Sequence, residues 1–516
     1  MSQDTPCPRS RNLPLVVLAV ALGGASGTAR GDLEPEWIAQ LPVGSALSSG
    51  LQGMVVDDAG VTYVTGVAGP SSNTDVVVAA FAADGDLLWS QTYNGPGNWH
   101  DQGRAIALGP DGVVWVTGNT PGGGNYANVL LLKYDSSNGA LLDSIQYSSG
   151  PFTSEYGGSI ATDSDGNVYV GGGTVGDGSD GLVLSFEADG GFRWLRTYDG
   201  PAFGPFSQDH VRQVRVGPDG QPVAMIEGVM GSLHPDYVVI KYAAATGDVV
   251  WQTNWGVSGG DFPRDMEIDA AGDVYVTGTG INFTDMFSTI KLRGSDGVLL
   301  WQFYDGTGFH NSVRALALDG QGGVYITGSV DPDGDESNFN DNMYTIKRDA
   351  SGGSQIWTHL YGANCIGCFD VPADVRVDSA GHALLAGSTS SPPYAADVIL
   401  FVLDAETGIE TTRGIVSGDA NESAGAAILD FDAAENIHLA GRNYNVNSGA
   451  VEISVVRWAS LVTGFFDLNS DGAIDGIDLG LLLGDWGPCR GCAADLNGNG
   501  VVDGADLGLL IGNWTG

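Results

Sequence analysis

Positive charge is scarce in this chain: 21 lysines and arginines face 62 aspartates and glutamates, a formal net charge of −41 over 516 residues. A field of that sign repels phosphate backbones and excludes nucleic acid as a natural partner. Long apolar runs are also missing. The one sizeable stretch, Leu13 to Leu22, is too short to span a bilayer. It follows Arg9 and Arg11 and precedes small residues at Ala25 to Ala29, the layout of a secretory signal peptide over residues 1–30. The expectation is therefore a secreted, extracellular or cell-surface protein with no transmembrane segment after leader cleavage. Losing Asp4, Arg9, Arg11 and Arg30 with the leader leaves 61 acidic and 18 basic residues. Clustered carboxylates with few cations nearby favour a divalent ion, so Ca2+ is the expected cofactor.

Cysteine is nearly absent, with five in all, and Cys7 lies ahead of the apolar run, out of place for a lipoprotein anchor. The other four form two pairs, Cys365 with Cys368 and Cys489 with Cys492. In an exported chain these read as two local disulfides, with free thiols or metal ligands as alternatives. Haem attachment is excluded, because Phe369 and Ala493 stand where it needs histidine.

What the chain has in abundance is glycine, 80 residues, with aromatics at 9%, which suits a β-rich fold full of tight turns. Self-similarity organises it. An apolar strand, an acidic glycine turn and a second strand ending in glycine recur as MVVDDAGVTYVTG (54–66), AIALGPDGVVWVTG (105–118), SIATDSDGNVYVGG (159–172) and VRVGPDGQPVAMIEG (214–228). The series continues as MEIDAAGDVYVTG (266–278), ALALDGQGGVYITG (315–328), VRVDSAGHALLAG (375–387) and AILDFDAAENIHLAG (427–441). A third strand follows each copy, as in VLLLKY (129–134), then a fourth that often carries tryptophan: Trp89, Trp194, Trp301.

Four short strands per unit of 50 to 59 residues describe the blade of a propeller; a solenoid is the alternative, though its coils are usually shorter. The eighth unit stops after its third strand, VEISVVRW (451–458), and EWIAQLPV (36–43) supplies the missing fourth, with Trp37 in the tryptophan position. The expectation is an all-β, eight-bladed propeller over residues 31–461, closed by its N-terminal strand.

These units resemble the bacterial propeller repeats called SBBP, with their D-x-x-G-N-x-Y-V-T-G core and following G-x-x-x-W strand. That family name presumes seven blades, so seven is the alternative count; the weakest copy is the last, with Asn436 and Leu439 in place of the usual valines. Turns such as ATGDVVW (245–251) resemble locally the tryptophan-docking turn of eight-bladed quinoprotein dehydrogenases, but those carry adjacent cysteines and this chain has none.

Arg104, Arg212, Arg264 and Arg314 each lie eight residues before a turn glycine, which places them at the start of the innermost strand. They are candidate ligand-binding residues for a carboxylate-bearing glycan or peptide, since guanidinium groups grip carboxylates in pairs. The alternative is that each pairs with an aspartate of the next blade. His100 and His310 precede two of them without assembling a catalytic set. The acidic turn Asp331, Asp333, Asp335, Glu336 reads as a solvated loop, with a third calcium site as the alternative.

The tail carries the sharpest chemistry. DLNSDGAIDGID (467–478) places oxygen ligands at loop positions one, three, five, nine and twelve: Asp467, Asn469, Asp471, Asp475 and Asp478, with the Ala473 carbonyl at seven and Gly472 at the turn. DLNGNGVVDGAD (495–506) repeats this with Asp495, Asn497, Asn499, Asp503 and Asp506, the Val501 carbonyl and Gly500. A short apolar helix follows each loop.

The single helices, the spacing and the aspartate at position twelve resemble a type I dockerin over residues 462–516, and GPCRGCAADLN (487–497) resembles its GC variety. The resemblance implies a small α-helical module with two calcium loops, and a cohesin-like or cell-surface anchoring receptor as partner. Members known for cohesin contact carry polar residues at loop positions ten and eleven; here Gly476 with Ile477 and Gly504 with Ala505 depart from that. The functional expectation is a non-enzymatic binding or display propeller tethered through calcium. Its alternative is a polysaccharide-degrading or other carbohydrate-active enzyme, although no unit shows the lone acidic insertion that a carboxylate pair needs.

Overall fold

The structure is a computed structural model. It describes residues 33–461 except 45–49, 71, 97–98, 111, 123–125, 151–152, 176–178, 202–207, 230–233, 257–258, 282–284, 307–308, 332–340, 363–368, 392–394, 417–421 and 446–448. In the tail it describes 468–469, 474–489, 492, 494, 496, 501–512 and 514. The leader, Cys365 and Cys368 lie outside the described residues, as do Asp333, Asp335 and Glu336.

Each repeat folds into four antiparallel strands in sequence order, beginning with blade 1 (Gly50–Val56, Thr62–Ala68, Asp75–Phe81, Leu87–Tyr93). First strands of successive blades neighbour one another all the way round, and the first strand of blade 8 (Glu422–Phe431) neighbours that of blade 1. This closed ring excludes a solenoid and sets the count at eight. Blade 8 takes its fourth strand from the N-terminus: Trp37–Gly44 pairs antiparallel with Val451–Trp458, Trp37 opposite Arg457 and Leu41 opposite Ile453.

Second and third strands are buried on both faces, as in Gly323–Asp331 and Gly181–Phe186, so they read as continuous apolar runs. Seams between blades are locked by the outer tryptophan. Trp37, Trp89, Trp194, Trp251, Trp301 and Trp357 each donate their indole N–H to a carbonyl in the next blade's last hairpin turn, at 2.8–3.0 Å. At most of these seams the ring lies against that turn's glycine, held at positive φ: Gly85, Gly139, Gly247, Gly297 and Gly408. Blade 2 carries Asp143 in the tryptophan register, opposite Lys133, and makes no such lock.

In the tail two short helices, Gly476–Gly484 and Gly504–Gly512, pack around Ile474, Leu482, Ala494, Leu496, Val502 and Leu510. Gly487 pairs with Val502 in a two-residue ladder, and Cys489 is bonded to Cys492.

Candidate functional site

The D-x-x-G turns close one end of the ring. Their aspartates are structural: the carboxylate of Asp163 accepts the backbone N–H groups of Asp165 and Asn167 and the Tyr169 hydroxyl at 2.9–3.0 Å. Asp269 and Asp319 do the same in blades 5 and 6. Such Asx turns fix the hairpin and leave these carboxylates little free capacity. Around this end a cavity of about 1550 Å³ is lined by Arg215, Glu267, Lys291, Asp319 and Lys347 among others. Its lysines are paired, Lys291 with Asp273 at 3.0 Å and Lys347 with Asp319 at 3.5 Å.

Midway along the channel a mixed-charge belt links the first strands. Arg215 pairs with Glu267 at 2.6 Å and Arg376 with Asp374 at 2.9 Å. Side chains also tie three of the blades to the next: Gln213 accepts from Met266 N–H at 2.7 Å, Asp265 from Leu316 N–H at 2.8 Å, and Asp374 from Leu429 N–H at 3.0 Å. Burial pushes the Glu267 carboxyl up to about 7 against the opposing charge of Arg215. Arg376 is desolvated too, but the carboxylates of Asp374, Glu267, Asp265 and Asp430 overcome this and hold it firmly cationic. Apart from Arg215 Nε, which is buried without a hydrogen-bond partner, these groups are spent on one another and on backbone amides, so the belt is a fastening.

The opposite mouth is different. In blades 1 to 7 the ladder between first and second strands skips one residue at the same place: Gln52, Arg104, Gly158, Arg212, Arg264, Arg314 and Ala373. Blade 8 slips one step further from its turn, between Gly425 and Ala427. A bulge leaves its extra residue unpaired and re-aims the side chain. All four candidate arginines are therefore bulge residues, and all four are exposed. Sequence spacing aligned them; the shared bulge, which supplies the reason, carries no residue signature of its own.

Their partners differ from the expected pairing across the seam. Arg212 binds Glu227 of its own blade, through Nη2 at 2.7 Å and Nε at 2.9 Å. Arg104 donates to the neutral oxygens of Asn119 (3.0 Å) and Gln102 (2.9 Å) and lies over the Tyr156 ring at 5.1 Å. Arg264 and Arg314 make no ion pair or hydrogen bond among the described residues. Burial and the charge of Arg264 lower the proton affinity of Arg314, against the opposing charge of Asp341. The Tyr156 hydroxyl meets His210 Nδ1 at 3.0 Å, and desolvation together with Arg212 pushes that imidazole below its ordinary range, hence neutral at pH 7. His100 Nδ1 meets the Thr74 hydroxyl at 3.2 Å, and the side chain of His310 lies outside the described residues.

In blades 2 to 7 a buried acid or amide sits three residues before the bulge: Asp101, Glu155, Asp209, Asp261, Asn311 and Asp370. Several clip the entering loop. Asp101 accepts from Gly95 N–H at 2.8 Å, and Asp209 from Gly200 and Val229 N–H at 2.8 and 2.7 Å. The signal was present in the sequence, as an acidic or amide residue eleven positions before the turn glycine in six consecutive units.

Of the tail ligands, Asn469, Asp475, Asp478, Val501, Asp503 and Asp506 are described; Asp467, Asp471, Ala473, Asp495, Asn497 and Asn499 lie outside the described residues. In the described residues two hydrogen bonds recur in both halves. Asp475 N–H donates to Asp478 Oδ2 at 2.8 Å and Asp503 N–H to Asp506 Oδ2 at 2.8 Å. Ile477 N–H donates to Asp475 Oδ1 at 2.7 Å and Ala505 N–H to Asp503 Oδ1 at 2.8 Å. Asp478 and Asp506 are wholly buried.

No protein-family model and no curated protein matches the chain. Solved structures do. A europium-containing methanol dehydrogenase aligns with a TM-score of 0.50 and 12% identity, over 82% of this chain and 93% of that one. A quinohemoprotein alcohol dehydrogenase from Comamonas testosteroni gives 0.49 and 12%, over 82% and 76%. Sqt1 from Chaetomium thermophilum gives 0.49 and 13%, over 82% and 100%. At such identity the likeness establishes the propeller fold alone.

Proposed function

We propose that this chain is an exported, non-enzymatic binding or display propeller, held to a cell surface or extracellular assembly by a calcium-dependent tail that resembles a type I dockerin. One observation carries the reading: the twelfth-position aspartates of both loops, Asp478 and Asp506, are buried completely. Residues 462–516 contain eight aspartates and a single basic residue, Arg490. Burying carboxylates without a countercharge is costly, and a hard divalent cation bound through oxygen supplies that charge.

Asp467, Asn469, Asp471, Asp475, Asp478 and the Ala473 carbonyl would hold one ion. Asp495, Asn497, Asn499, Asp503, Asp506 and the Val501 carbonyl would hold the other. Bound calcium neutralises the facing carboxylates and couples metal uptake to folding of the tail. The receptor surface is sought on the helices, where Ile477, Leu481, Leu483 and Trp486, and Leu509, Ile511 and Trp514, are exposed. Apolar exposure on this scale in so small a unit supports a protein partner.

Calcium titration of the full chain by calorimetry tests this. Two sites are expected, and loop one, with four aspartates against three, is the tighter, so Asp478→Asn removes the stronger binding phase and Asp506→Asn the weaker. Heat-free titration of the intact protein, or release of reducing sugar from algal or plant polysaccharide, would replace the reading.

A further inference from the structure

In a protein with three times as many acids as bases, an arginine without a carboxylate is unusual. Among the described residues, Arg212 alone of the four bulge arginines is in ion-pair contact with one, Glu227. Arg104 is satisfied by neutral oxygens, and Arg264 and Arg314, in adjacent blades at the same register, make no ion pair or hydrogen bond among the described residues, although the charge of Asp341 reaches Arg314. The Asp341 carboxylate offsets part of their mutual repulsion at Arg314, and water on the exposed rim screens the rest. Gly158, at the bulge of blade 3, adds no side chain to the arc between Arg104 and Arg212.

Two residues before the bulge, blades 3, 4 and 5 carry rings: Tyr156, His210 and Phe262. Tyr156 bridges Arg104 and His210, and Phe262 is half-buried beside Arg264 in sequence. Trp99, 57% exposed, stands in the loop entering blade 2. Planar rings interleaved with guanidinium groups match a chain whose every unit offers one carboxylate and one apolar ring face.

We infer that this mouth binds an acidic oligosaccharide of uronate type, its carboxylates held by Arg264 and Arg314 and its sugar faces on the neighbouring rings. The assignment rests on the propeller being a binding scaffold and owes nothing to the calcium tail.

The test is calorimetric titration of the full chain with oligogalacturonate, its carboxyl-reduced counterpart and poly-glutamate, each with and without chelator. Wild type binds the uronate oligomer and not the reduced one, and the affinity survives the chelator. The Arg264→Gln, Arg314→Gln double variant, at unchanged melting temperature, weakens binding by about tenfold or more. Glu227→Gln, which frees Arg212, tightens it. The inference is overturned by absent uronate binding, by undiminished binding in the double variant, by equal affinity for poly-glutamate through the same arginines, or by loss of binding on chelation. A failed calcium titration with intact uronate binding sinks the tether alone.

Discussion

Asp236 shows how a single buried carboxyl writes a pH dependence into the fold. It is 8% exposed, and burial, reinforced by the charge of Asp261 across the seam, pushes it up to about 6 from an ordinary 3.8. Below about pH 4 both folded and unfolded carboxyls are protonated and nothing is lost. Between about 4 and 6 the unfolded group ionises while the folded one holds its proton, so stability falls as pH rises and the loss is complete above 6. Asp236→Asn is expected to raise the melting temperature at pH 7 to 8 and leave it unchanged at pH 4; equal shifts at both would refute the cause. At this scale the sequence was only partly legible. Arginine spacing could be read directly, since residue identity and period suffice. Glu435, at φ 59°, sits where other turns carry glycine, a departure in the last repeat beyond Asn436 and Leu439. Arg212 choosing Glu227 could not be read, because a bulge shifts facing by one residue and leaves no mark in composition.

At the scale of elements, the tryptophan lock depends on what its partner lacks. A Cβ on Gly247 would lie 2.6 Å from the Trp194 ring, and the residue's φ of +71° is disfavoured for any side chain. Gly247→Ala should therefore destabilise the chain by about 1–3 kcal/mol, while Gly220→Ala, in a turn with open space around it, carries only the backbone cost of positive φ. Denaturant midpoints of the two variants give the comparison, and equal losses would show that packing on the indole contributes nothing. The strands themselves were plain in the sequence, because alternating or continuous apolar runs ended by D-x-x-G turns specify hairpins. The docking partners were not, since each indole reaches a turn 43 to 50 residues later.

On the scale of the molecule, closure by Trp37–Gly44 was foreseeable from arithmetic: eight first strands, seven complete units, one orphan strand carrying tryptophan. The pairing with Val451–Trp458 and the Trp37 bond to Ala83 of blade 1 make that strand a fastener on two sides. Removing residues 36–44 should expose the Val451–Trp458 edge, lower the melting temperature and promote aggregation. Adding the same segment as a peptide should reverse both. If the shortened chain melts like the parent, the strand is ornamental.

Glu36 and Arg457, which meet beside this strand, are 421 positions apart. The strand that completes blade 8 precedes every other strand of the ring in the chain, so the seal between blades 8 and 1 waits until Val451–Trp458 has been made. Loop entropy makes so distant a junction only modestly costly once formed, but slow to form. Circular permutants opened at another blade boundary, with every blade contiguous in sequence, should mature faster than the natural chain.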